Sequence, residues 1–370
     1  MERMLKSRFV LLAGLLLFAI VQNTFGSQSK LRRLVSPELL EHANLKILWE
    51  NELPIKKDET VENLFILGNR IYAISNRNYM VSMNRENGNM IFGGVVEPDG
   101  LRLKSLMLYG DKLISIAGTK LIEIDPDSGA QRKFLDVDFG IACPAAYNSS
   151  FLYLSGVDRR LHTLRAEDKV QIFEVAAENE SMITSITADE NFVIFATDAG
   201  NVISIAPDVP KKLWQFNAAG EIAGPIVRDQ QRLFFASKDT NIYRVDIVGL
   251  PEKRQLIWKF QTAGMLDRAP RVTSEVVYQY VRNKGITAID KESGTLLWLV
   301  PGGDDLLAQA KEKAYVITKN RTLVVMDNLS AKKLYSVNFA HVSSYTANIA
   351  DSKLYIADKD GRIACLLPID

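Results

Sequence analysis

The side chains able to do chemistry in this 370-residue chain are few and scattered. Its three histidines, His42, His162 and His341, stand apart, with no second histidine or cysteine at ligand spacing, so none starts a recognisable metal site. The carboxylate groups Glu97-Pro98-Asp99, Glu178-Asn179-Glu180 and Asp304-Asp305 fall where loops are expected, and charge runs there read as solvated surface. A Gly-x-Ser-x-Gly elbow, a phosphate-cradling glycine loop and a Cys-x-x-Cys-His haem site are all missing from the sequence. The residues point to a protein with no catalytic, cofactor-binding or metal-binding constellation, that is, not an enzyme.

What does recur is aromatic. All four tryptophans close a short apolar phrase, as Leu48-Trp49, Leu213-Trp214, Ile257-Trp258 and Leu297-Trp298. Upstream lies a tetrapeptide apolar-x-x-apolar at residues 80–83, 121–124, 161–164, 202–205, 242–245, 286–289, 323–326 and 363–366. Successive starts are 41, 40, 41, 40, 44, 37 and 40 residues apart, the period of a propeller or solenoid.

Each tetrapeptide follows a β-branched and aromatic run, such as Ile71-Tyr72-Ala73-Ile74 or Leu354-Tyr355-Ile356, across turn formers such as Asp198-Ala199-Gly200. That is a hairpin. After it comes Asp or Asn, then Gly four residues on, as in Asn84…Gly88, Asp125…Gly129 and Asp290…Gly294, and then an aromatic. The aromatic slot is filled by Trp49, Phe92, Phe134, Phe173, Trp214, Trp258, Trp298 and Tyr335, one per unit, which predicts a packing wedge between units. A further strand is expected before each hairpin, which makes four short antiparallel strands per unit.

The ends of the chain decide the closure. The eighth unit stops at Asp370 with three strands, whereas residues 45–53, carrying Trp49, form a fourth strand with none before it. The expected fold is all-β, an eight-bladed propeller over residues 45–370 whose last blade is completed by the N-terminal strand, so that no sheet edge is left at the join. Cys143 and Cys365 then belong to blades three and eight, which are not neighbours in the ring, so a disulfide, which needs Cα atoms within about 7 Å, is expected only if both lie on innermost strands near a narrow axis. Both are expected as small buried residues.

Residues 1–26 have a different pattern. Arg3, Lys6 and Arg8 precede an apolar run over residues 9–21, and small residues follow, the order of a secretory signal peptide. Residues 27–44 are expected as a tether, with one helix-like stretch at residues 37–41. The formal charge of the whole chain is +1, of which the presequence supplies +2, so the remainder is near −1. Nothing in that balance favours nucleic acid or an anionic membrane surface, and membrane association is expected only through a partner or an uncleaved N-terminal segment.

The phrase Ile286-Thr287-Ala288-Ile289-Asp290-Lys291-Glu292-Ser293-Gly294-Thr295-Leu296-Leu297-Trp298 resembles the repeat of the pyrroloquinoline-quinone-like propellers, and the likeness runs over residues 45–370. One branch of that superfamily, the quinoprotein dehydrogenases, holds the quinone and calcium at the ring axis; those enzymes are longer and many carry adjacent cysteines, which this chain lacks. In size, signal-like start and blade count the chain is similar to the other branch, the outer-membrane assembly factor B (BamB-like) family. That resemblance implies a periplasmic or envelope-associated scaffold without a cofactor, whose partner is an envelope protein of the barrel-assembly class. A ligand- or glycan-binding propeller and a quinone-dependent dehydrogenase are the alternatives.

Two departures stand out. Members of that family are lipoproteins, and no cysteine ends the apolar run here. Their docking loop bears Leu and Arg, whereas the equivalent residues 176–186 here contain Glu178 and Glu180 and no arginine. The nearest similar string, Gly264-Met265-Leu266-Asp267-Arg268-Ala269-Pro270, precedes a different blade. Met265, Leu266, Asp267 and Arg268 are therefore the expected partner-binding residues, exposed apolar groups beside a charge pair. The alternative reading is that Met265 and Leu266 cover the top of the blade.

Overall fold

A computed structural model describes residues 33–97, 100–103, 105–249 and 251–369. The expected signal peptide and the first part of the expected tether lie outside the described residues. The rest forms eight four-stranded antiparallel sheets. They span residues 61–95, 105–136, 146–176, 183–217, 227–261, 271–301 and 303–338 for blades 1 to 7, and residues 344–368 with 45–52 for blade 8.

Burial follows the layering. The first strands of neighbouring blades lie against one another, as Val61–Leu67 does against Ser344–Thr346, and line the inside of the ring. Second and third strands are sandwiched between neighbouring sheets. Every residue of Val193–Thr197, Asn201–Ile205 and Val276–Val281 is buried, which is why these segments are rich in β-branched and aromatic residues and carry no charge. Fourth strands face outward on one side and alternate instead. In Lys253–Gln261 the one buried residue is Trp258.

Closure occurs as the offset of the termini requires. Strand Leu45–Glu52 pairs antiparallel with Arg362–Pro368, with Leu45 opposite Pro368 and Trp49 opposite Cys365. The two chain ends also replace the turn that other blades make covalently. Asn44, in the left-handed region at φ 52°, accepts from Ile369 N at 2.7 Å, and its side-chain amide donates to Tyr335 Oη of blade 7 at 2.9 Å.

The expected tether is corrected by what precedes Asn44. Ser36 caps the short helix Pro37–His42, and Leu34, Val35, Leu40 and Ala43 are buried in one cluster with Tyr315, Val337 and Phe339 of blade 7 and Leu354 and Leu366 of blade 8. Four apolar side chains within ten residues are enough to dock this segment, so the propeller body starts at Leu34 rather than at residue 45.

Candidate interaction surface

The blade aromatics occupy one structural position, on the outer strand facing the next blade. Trp49 of blade 8 donates from its indole to Arg85 O of blade 1 at 3.1 Å, and Trp258 of blade 5 donates to Lys291 O of blade 6 at 3.0 Å. Trp298 of blade 6 reaches Asn328 Oδ1 of blade 7 at 3.0 Å. Each ring lies on the turn between the third and fourth strands of the following blade. There Asn84, Asp125 or Asp290 accepts two backbone N–H groups, and the glycine four residues on closes the turn in the left-handed region. The Asp-x-x-x-Gly signature and the aromatic that follows it in sequence thus serve two different interfaces.

Blades that lack the glycine show what replaces it. In blade 3 Lys169 takes the left-handed position at φ 64° and holds its ammonium 4.7 Å from the centre of Phe134 of blade 2. Blade 5 has no such turn; its third strand runs on as Asn241–Val248 and pairs through to Lys253. Trp214 of blade 4 meets this longer hairpin, and its indole N–H finds no acceptor. Phe134, Phe173 and Tyr335 fill the same slot but are only partly buried.

A second ring of contacts escaped the sequence reading. Tyr72, Tyr153, Tyr278, Tyr315 and Tyr355 sit in second strands and are fully buried. Three of their hydroxyls cross to the next blade. Tyr153 donates to Pro207 O, Tyr278 donates to Gln309 Oε1 and also accepts from Asn328, and Tyr355 accepts from Arg85 Nε at 3.1 Å. Burial raises the pKa of all three. Their signal was present in Ile71-Tyr72, Leu152-Tyr153 and Leu354-Tyr355, but in a strand a tyrosine looks like any other β-former.

Ionic staples run beside them. Arg85 Nη2 reaches back to Asp351 of blade 8 at 2.8 Å, and Lys291 Nζ reaches back to Asp229 of blade 5 at 2.7 Å. For Asp351, burial pushes the carboxyl pKa upward, but the Arg85 and Asn348 hydrogen bonds outweigh it and hold the value below the usual range.

The connector at residues 262–270 is well tied down. Thr262 Oγ1 donates to Gly264 O, Arg282 N donates to Met265 O, and Gln279 donates to Arg268 O. The expected binding residues separate here. Leu266 has no exposed surface and packs with Ala223, Val272 and Val281, so it belongs to the core; a leucine flanked by tethered backbone turns inward because burial is worth about 2 kcal/mol. Met265 remains exposed. Asp267 pairs with Arg282 at 2.9 Å, and Arg268 lies over the Tyr280 ring at 4.1 Å while donating to Asp304 O.

Asp304 and Asp305, read as loop charges, are instead in the strand Gly303–Ala310 and are committed to partners. Asp304 accepts from Tyr345 Oη at 2.5 Å, and Asp305 pairs with Arg271 at 2.9 Å. Glu97 is likewise buried, with Lys120 at 3.7 Å, while Glu178 takes Lys212 at 2.9 Å. His162 stacks on Phe139 at 3.8 Å and contacts Asp158 at 2.9 Å. Cys143 and Cys365 are buried free thiols, whose pKa burial pushes to about 11 and about 12. Among the described residues no three His, Cys, Asp or Glu side chains cluster as metal ligands.

With this geometry in view, a family model described as outer membrane protein assembly factor BamB matches residues 200–340 and, overlapping, 238–370. The crystal structure of BamB from Moraxella catarrhalis is similar over 87% of this chain and 97% of that one, with a TM-score of 0.67 at 13% identity. The chain is an eight-bladed propeller with a PQQ-like, BamB-like fold. A crystal structure of the computationally designed Ika8 protein is similar over 85% of this chain and 98% of that one, with a TM-score of 0.65 at 14% identity. No curated protein matches. At such identities the BamB-like architecture is what the solved structures share with this chain; the residues on its loops are its own.

Proposed function

We propose that this BamB-like propeller is an exported, non-enzymatic scaffold at the cell envelope and that it serves outer-membrane protein assembly. The observation that carries the reading is the repeated match of its blades to the assembly-factor model across residues 200–370, on a ring whose fold extends that likeness to 87% of the chain. The use of its reactive side chains supports a binding role. The histidine within the blades is stacked, the thiols are buried, and Asp304, Asp305 and Asp351 hold neighbouring blades together. Connectors and hairpin tips remain to make contacts with a partner.

The test is affinity capture with the mature chain from envelope fractions, combined with outer-membrane protein levels in cells lacking it. Recovery of a barrel-assembly component and reduced barrel proteins are expected. Unchanged barrel proteins would overturn the assembly role, and stoichiometric binding of the quinone with calcium in calorimetry would move the chain to the dehydrogenase branch.

A further inference from the structure

On the ring face that carries the connectors and the hairpins between second and third strands, charge is distributed unevenly. Hairpin tips of blades 6 and 7 meet the connectors there, through Arg282 N to Met265 O and Lys319 N to Gly302 O, both 2.9 Å. This sector holds Arg268, Arg271, Arg282, Lys284, Lys319 and Arg321 against Asp267, Asp304 and Asp305. The three carboxylates are each already paired, to Arg282, Arg268 and Arg271. Lys284, Lys319 and Arg321 have no carboxylate partner among the described residues.

Aromatic faces hold some of this excess in place without neutralising it. Arg268 and Lys319 both lie over Tyr280, at 4.1 and 5.3 Å, and Arg321 lies over Tyr345 at 5.6 Å, with its Nη1 buried and lacking an acceptor. Such contacts are weak at exposed sites. They position the cations, but the charge persists at the surface of a chain that is nearly neutral as a whole. Met265, 43% exposed, adds an apolar side chain beside them.

We propose that this sector docks an acidic segment of a protein partner, its carboxylates meeting Lys284, Lys319 and the exposed edge of Arg268, and an apolar side chain covering Met265. The proposal rests on the scaffold reading and specifies the chemistry of the partner. Carboxylates interspersed among the cations disfavour a continuous phosphate backbone, so a peptide fits better than a nucleic acid.

The experiment is fluorescence anisotropy of the mature chain with a short labelled peptide alternating Glu and Leu, its Gln and Leu analogue, and a single-stranded oligonucleotide. Saturable binding of the Glu peptide is expected, falling with added salt and at least about tenfold weaker in the Lys284→Glu, Lys319→Glu double variant. Both lysines are exposed and their side chains make no hydrogen bond, so only the contact of Lys319 over Tyr280 is lost and the melting temperature should fall only slightly; Lys284→Gln with Lys319→Gln is the milder second variant. No binding of the Glu peptide, equal binding of the Gln peptide, an unaffected variant, or tighter oligonucleotide binding would overturn the proposal. The double variant as bait in the envelope capture separates the two readings. If it retains the partner held by the native chain, the scaffold stands and this docking surface falls; if the native chain itself captures none, the scaffold reading fails.

Discussion

Trp258 on the outer strand of blade 5 lies so close to Gly294 of blade 6 that a Cβ on the glycine would come within 2.6 Å of the indole. Trp49 and Gly88 repeat the relationship across the closure, again at 2.6 Å, and Phe92 and Gly129 repeat it between blades 1 and 2. The glycine is therefore required twice, by its left-handed backbone and by the ring pressed against it. Gly294→Ala should destabilise the fold by about 2–4 kcal/mol, combining the backbone term with overpacking. Gly110→Ala has the backbone term alone, since nothing lies within 4 Å of its site, and should cost about 1–2 kcal/mol. Urea denaturation of both variants checks this; equal losses would show that the ring contact contributes nothing.

The indoles differ in what their N–H groups do. Trp258→Phe forfeits the bond to Lys291 O, while Trp214→Phe forfeits none. The Trp258 variant should be the less stable by about 1 kcal/mol beyond any packing loss the two share. Comparable or reversed melting shifts would count against the assignment of these hydrogen bonds.

Ring closure depends on the N-terminal strand. Deleting residues through Leu53 removes the fourth strand of blade 8, the docked helix and the Asn44 link to Ile369, leaving strand Arg362–Pro368 as an open edge. Cooperative thermal unfolding should be lost and the truncated chain should self-associate. A truncated chain that melts like the intact one would refute closure by this strand.

Asp351 gives the fold a defined acid response. Its pKa is depressed in the folded state by Arg85 and Asn348 working against burial, so its contribution is fully present above the unfolded value of about 3.9 and is lost as pH falls through the folded value. Asp351→Asn should lower the melting temperature at neutral pH, and the gap to the native chain should shrink below about pH 4. A gap that stays constant across that range would remove Asp351 from the acid response.

The blade count, the hairpins, the closing strand and the aromatic slot can all be read from the residues. Those features repeat about every forty residues, and repetition exposes a weak local pattern that one copy would hide. Trp49 could be placed in blade 8 because a fourth strand without three predecessors has only one partner in a closed ring.

Which residues face one another follows from the stacking of the blades. Gly294 precedes Trp298 by four residues, yet the ring it receives is Trp258 of the previous blade, because sheets stacked around an axis bring together residues a whole repeat apart. The same stacking turned Asp304 and Asp305 from loop charges into partners of Arg268 and Arg271 and drew residues 34–43 into the core. It also split the expected binding loop, burying Leu266 while leaving Met265 and Arg268 at the surface. Side-chain direction in a connector is set by the blades on either side of it, and composition carries no record of that.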